Sequence, residues 1–244
     1  MEKEVLGNLK ISGVGSSGGG RFNEVKISGA GDVKGDIECN LFRSSGASDV
    51  KGNLKAKTVE VSGATDVQGN VEAEQIYVSG ASDIHGNVET KKIKIAGASD
   101  IRGNLHAEEV EISGAVDVKG DCETESFKAT GGFKIGGLLN ADNIDIFIGG
   151  KCNVKEIGGE RISVKLSNNV GLGILRAIKE AFNVHEYLTA EIIEGDEIYL
   201  ESTVAKIVRG NNVTIGPDCD IDLVEYKGEI KLQNSARIKE QKKV

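Results

Sequence analysis

Hydrophobic and polar positions recur every 17 residues along the first part of this chain. With Ile27 as the first position, later copies start at Ser44, Val61, Val78, Ile95, Ile112 and Ala129, and one more start falls on Ile146. An imperfect copy comes before them, with Ile11 at the first position and one residue fewer before Phe22. The fourth column is alanine, from Ala30 to Ala115. The seventh is Val33, Val50, Val67, Ile84, Ile101, Val118 and Ile135. The eleventh and sixteenth columns are also apolar, and the thirteenth is small. Positions 11 and 13 alternate inward, as do 16 and 1, which is the period of a strand. Seventeen residues cannot hold a helix and three such strands. Each copy is therefore one coil of a parallel β-solenoid, with three short strands and three turns. Glycine at position 3 and the Gly-Asn or Gly-Asp pair at positions 9 and 10 are expected to make the turns by adopting positive φ. Like residues should then stack about 4.8 Å apart along the axis.

The spacing loosens after Ile146, and a different pattern appears at 167–187. Leu172, Leu175, Ile178 and Phe182 follow helical spacing, with Arg176 and Lys179 adding basic charge. A short amphipathic helix is expected there, packed on the solenoid or against a membrane surface. From Leu188 the strand pattern returns. The predicted fold is thus an all-β solenoid interrupted by one short helix. Its parts are a lead at 1–8, regular coils at 9–166, the helical insert at 167–187, closing coils at 188–238 and a disordered basic tail at 239–244.

Composition fits a narrow core. Of 244 residues 33 are Gly, Trp is absent and aromatics make up 4%, so Val, Ile and Ala must fill the interior. A formal net charge of −8 gives no basic face for nucleic acid. The start MEKEVLGNLK lacks a signal's apolar run, and no stretch reaches the ~20 apolar residues of a membrane span. Cys39, Cys122, Cys152 and Cys219 are far apart, with no CxxC. A cytoplasmic protein without disulfides is expected.

The column with most chemical potential is position 6: Asp32, Asp49, Asp66, Asp83, Asp100 and Asp117. Position 8 carries Lys34, Lys51, Gln68, His85, Arg102 and Lys119, on the same outward face. The basic ladder is expected to offset the repulsion of the stacked carboxylates, so the aspartates read as scaffolding. The calcium β-roll repeat GGxGxDxUx is absent. His85, His106 and His185 have no metal-ligand spacing, the cysteines at inward positions read as core, and the GGG at 18–20 lacks a following Lys-Ser/Thr. No nucleophile–base pair stands out, so no catalytic residue, metal, cofactor or small-molecule substrate is expected.

Coils such as VSGASDIHGNVETKKIK, with the closing stretch GDEIYLESTVAKIVRGNNVTIGPDCDIDLVEY, resemble the bactofilins. The resemblance implies a right-handed β-helix that polymerises end to end without nucleotide, as a scaffold for cell shape, envelope or motility machinery, sometimes touching the membrane. Solenoid ends expose backbone and apolar side chains unless they are capped. Leu9 and Ile11 at one end, and Ile230 and Leu232 at the other, are the expected polymer contacts. The alternative is a non-polymerising module that shows its charged ladders to a protein partner.

Overall fold

The structure, a computed structural model, describes residues 6–167, 187–233 and 235–244. Among these residues every helix or strand is a strand. The helix expected through Leu172, Leu175, Ile178 and Phe182 lies outside the described residues. The chain divides into two compact units, Met1–Glu125 and Ser126–Val244, and each is a parallel β-solenoid.

In the first unit, after an opening coil of two four-residue strands, each coil is an eight-residue strand followed by a four-residue strand, for example Leu54–Val61 and Ala64–Val67. The long strand is two faces joined at a corner. Leu54 and Ala56 point inward, Lys57 and Thr58 turn, and Val59 and Val61 point inward again. With the short strand this makes three faces per coil, as the alternation predicts. Neighbouring coils pair in parallel at a 17-residue offset: Leu54 lies beside Val71, Val61 beside Val78, and Val67 beside Ile84. The opening coil is offset by 16, with Ile11 beside Ile27 and Val14 beside Ala30. The core is a stack of Val, Ile and Leu, each worth about 1.5–3 kcal/mol when fully buried.

Two details differ from the sequence expectation. The alanines of column 4 face outward, and the polar column 5 is buried instead. Ser48, Thr65, Ser82 and Ser99 are all under a tenth exposed. Their hydroxyls satisfy one another along the axis: Ser48 Oγ to Thr65 Oγ1 at 2.9 Å and Ser82 Oγ to Ser99 Oγ at 2.7 Å. Nor do the turn glycines need positive φ. Among the described glycines only Gly19 and Gly20 have it. At Gly63, Gly80 and Gly97 an added Cβ would overlap the carbonyl oxygen of the glycine one coil earlier. Glycine is required here because adjacent turns stack backbone on backbone.

At the next turn an amide ladder runs along the axis. The Asn70 N–H donates to Asn53 Oδ1 at 2.9 Å, Asn87 to Asn70 at 2.8 Å, and Asn104 to Asn87 at 2.9 Å. Asp36 and Asp121 close its ends.

The second unit has longer strands and coils of uneven length, from Phe133 beside Cys152 to Asp220 beside Arg237. Leu188–Leu200 and Thr203–Ile215 pair at a 15-residue offset, from Leu188 beside Thr203 to Leu200 beside Ile215. The strand Cys152–Leu166 pairs with Leu188–Leu200 without a break in the stacking: Cys152 lies beside Leu188 and Val164 beside Leu200. The segment 167–187 therefore enters and leaves between two coils that are in contact. One coil later, Glu201 and Ser202 alone turn the same corner. The basic tail is also not disordered. Arg237–Lys243 is a strand paired in parallel with Asp220–Tyr226, because its backbone extends the ladder even though its side chains stay exposed.

Candidate assembly surfaces

The side chains singled out in the sequence fall on the ladders and at the ends of the two units. The position-6 aspartates sit in parallel register: Asp32 beside Asp49, Asp49 beside Asp66, Asp66 beside Asp83, Asp83 beside Asp100, and Asp100 beside Asp117. Column 8 compensates them mostly one coil later. Lys51 Nζ lies 3.5 Å from Asp32 Oδ2 and 4.0 Å from Asp49 Oδ2. Arg102 Nη2 donates to Asp83 Oδ2 at 2.9 Å. Lys119 pairs with Asp117 in its own coil, and that hydrogen bond raises the lysine pKa. Lys34 closes no ion pair among the described residues, and neither does Asp100.

The ladder lacks a permanent cation around Asp66, where column 8 offers Gln68 and then His85. His85 Nε2 stands 3.4 Å from Asp66 Oδ2 and 3.8 Å from Asp83 Oδ1, without hydrogen-bond geometry to either. These three side chains are the one group among the described residues whose ligand atoms, within 4.8 Å of one another, could hold a metal ion. All three are partly exposed. Oδ1 is buried without a partner at Asp66 and Asp83, and equally at Asp32, Asp49 and Asp117 where no imidazole stands. The hidden oxygen is thus a property of the stacked column and not of a metal pocket. His106 pairs with Glu123 on another face at 3.6 Å, and His185 lies outside the described residues.

Cys39, Cys122, Cys152 and Cys219 are all buried and free. Burial pushes the thiols of Cys39 and Cys122 up to about 12 and that of Cys219 to about 11. Such thiols are poor nucleophiles near neutral pH.

Leu9 and Ile11 lie on the opening coil and Ile230 and Leu232 on the last, where the sequence puts them. Ile11 is 7% exposed and belongs to the core, whereas Leu232 is 52% exposed. Sequence reasoning missed Val14, which is 94% exposed in the strand Val14–Ser17. It stands beside Ala30 in the outward-facing column 4, so its exposure is lateral, and the fourth position of the opening copy is the signal that could have found it. Among the described residues the strands Asn8–Ile11 and Val14–Ser17 each pair along one edge only. Ile230–Leu232 and Arg237–Lys243 likewise each have one partner.

A β-solenoid of 17-residue coils with no interrupting loop in its first unit and unpaired edges on its end strands matches a known family. The bactofilin profile, described as polymer-forming cytoskeletal, matches residues 4–89 and 49–140. The chain belongs to the bactofilin family. Among curated proteins, the uncharacterized protein YhbE of Bacillus subtilis (strain 168) is 59% identical over 236 residues, covering 96% of this bactofilin and 97% of that protein. A second uncharacterized protein of that strain, YhbF, is 37% identical over 109 residues, 44% of this chain and 42% of its own. No solved structure matches. The profile ends close to where the 17-residue period ends, while the likeness to YhbE runs on through the coils of uneven length. No described helix is long and apolar enough to cross a membrane.

Proposed function

We propose that this chain is a non-enzymatic cytoskeletal scaffold whose solenoid subunits join end to end without nucleotide. The observation that carries the proposal is the state of the end coils. Each leaves a strand edge without a partner, with an apolar side chain that stacks on a buried neighbour on one side only: the half-buried Leu9 on Val25 in the first unit and the exposed Leu232 on Ile215 in the second. Unpaired edges of this kind are templates for another chain. Adding a coil in register would continue both the hydrogen-bond ladder and the core stack. Membership of a polymer-forming family supports the same conclusion. Work in cell shape, envelope or motility machinery, and any contact with membrane, come from the family resemblance alone.

The test is sedimentation of Leu9→Glu and Leu232→Glu beside the parent protein. Neither side chain is buried, so far-UV circular dichroism should be unchanged while pelletable polymer is lost. Polymer that persists in both variants would place the contacts elsewhere and favour a binding module that presents its lateral faces.

A further inference from the structure

The first unit carries a longitudinal groove of about 600 Å³, floored by the small residues Ala56, Ala73 and Thr90. Two rails of exposed side chains flank it. One is the corner column Lys57, Glu74, Lys91 and Glu108, whose charge alternates in sign from coil to coil. Each of these residues is bracketed by paired neighbours, such as Ala56 beside Ala73 and Thr58 beside Gln75, so the four stand in a row at strand spacing. None of the four closes an ion pair among the described residues. The rail across the groove does: Arg21 pairs with Glu38 at 3.3 Å, Lys55 with Glu72, and His106 with Glu123 at 3.6 Å. In the second unit, the comparable groove has its charges closed on themselves, Lys206 on Glu191 at 3.0 Å and Lys239 on Asp222 at 2.6 Å.

We infer that the Lys57–Glu108 rail is a lateral docking surface for a second copy of this chain, running antiparallel. An alternating row of four charges is complementary to itself when reversed. A two-fold axis crossing the groove between the coils of Glu74 and Lys91 sets Lys57 opposite Glu108 and Glu74 opposite Lys91, each pair formed twice. A parallel two-fold partner would instead set Lys55 against Lys57 and Glu72 against Glu74, like on like, leaving only Glu89 against Lys91 and His106 against Glu108 to attract. On the opposite rail the antiparallel partner brings Glu89 to Glu72, whose charge Lys55 already offsets. Exposed ion pairs are individually weak and salt-screened. Repetition along a polymer makes them count, because each joined subunit brings the next pair into place at high effective concentration. The surface uses none of the end residues, so variants on the rail remove lateral pairing and leave end joining in place.

The experiment is electron microscopy of the full chain at low and high salt, with two charge-reversed variants. Lys57→Glu with Lys91→Glu makes the rail wholly acidic, and Glu74→Lys with Glu108→Lys makes it wholly basic. The parent protein is expected at twice the single-rod width in low salt and at single width in high salt. Each variant alone stays at single width, and a 1:1 mixture returns to double width, which also shows that both variants are folded. Parent protein of single width at low salt, variants that pair alone, or a mixture that stays single would overturn the proposal. Short rods of either width would instead indict end joining.

Discussion

Glycine and cysteine show most clearly how single residues are constrained. Glycine in the SGA turn is fixed by the carbonyl beneath it, not by φ. Gly80→Ala is therefore expected to cost about 1–3 kcal/mol, as overpacking does. Gly13→Ala, whose Cβ would meet nothing within 4 Å, should stay within about 0.5 kcal/mol of the parent. Equal denaturation midpoints for the two variants would return the turn to a dihedral explanation. The buried cysteines give a second prediction. With thiols held near 11 or 12 they stay protonated at pH 8, so a thiol reagent should find none of Cys39, Cys122 and Cys219 until the protein is unfolded. The shift also bears on stability. Above the unfolded thiol pKa the unfolded chain releases protons that the folded chain keeps, so each cysteine lowers stability as pH rises through that range. Rapid native labelling at pH 8 would contradict this.

At the scale of elements, ladders hold the coils in register. The hydroxyls of Ser82 and Ser99 are buried and bonded to each other. Removing one strands the other, so Ser82→Ala should cost about 1–3 kcal/mol, while Ser82→Ala with Ser99→Ala should cost less than twice that. Strict additivity in a double-mutant cycle would mean the two do not interact. The period, the parallel register and the inward columns were all legible in the sequence, because apolar residues at fixed spacing leave few alternatives. The aspartate ladder and its basic companions Lys51, Arg102 and Lys119 were legible for the same reason. The buried serine column was not, because a small polar residue next to an alanine gives no hydropathy signal as to which faces inward. The asparagine ladder was hidden too. Its hydrogen bonds run between coils, and turn composition alone reports only the turn. The strand Arg237–Lys243 was missed because, apart from Ile238, its side chains are polar and backbone pairing orders it.

At the scale of the whole molecule, the insert and the ends set what the chain can do. Cys152 and Val164 stack on Leu188 and Leu200 across the 167–187 segment, so the coils do not depend on it for register. Replacing 165–187 by the two-residue corner Glu-Ser, as at Glu201 and Ser202, should leave the β circular dichroism spectrum and the thermal midpoint nearly unchanged. A large loss of either would make the segment part of the core. The central claim, though, concerns the ends. The sequence already points to Leu9 and Leu232, but that each stacks on a buried neighbour, Val25 and Ile215, is visible only once the coils are stacked. The most direct measurement is negative-stain electron microscopy of the purified, nucleotide-free protein over a range of concentrations at high salt, where lateral ion pairs are screened. End-to-end assembly predicts filaments that lengthen with concentration and need no nucleotide. Isolated rods of one length at every concentration would contradict it.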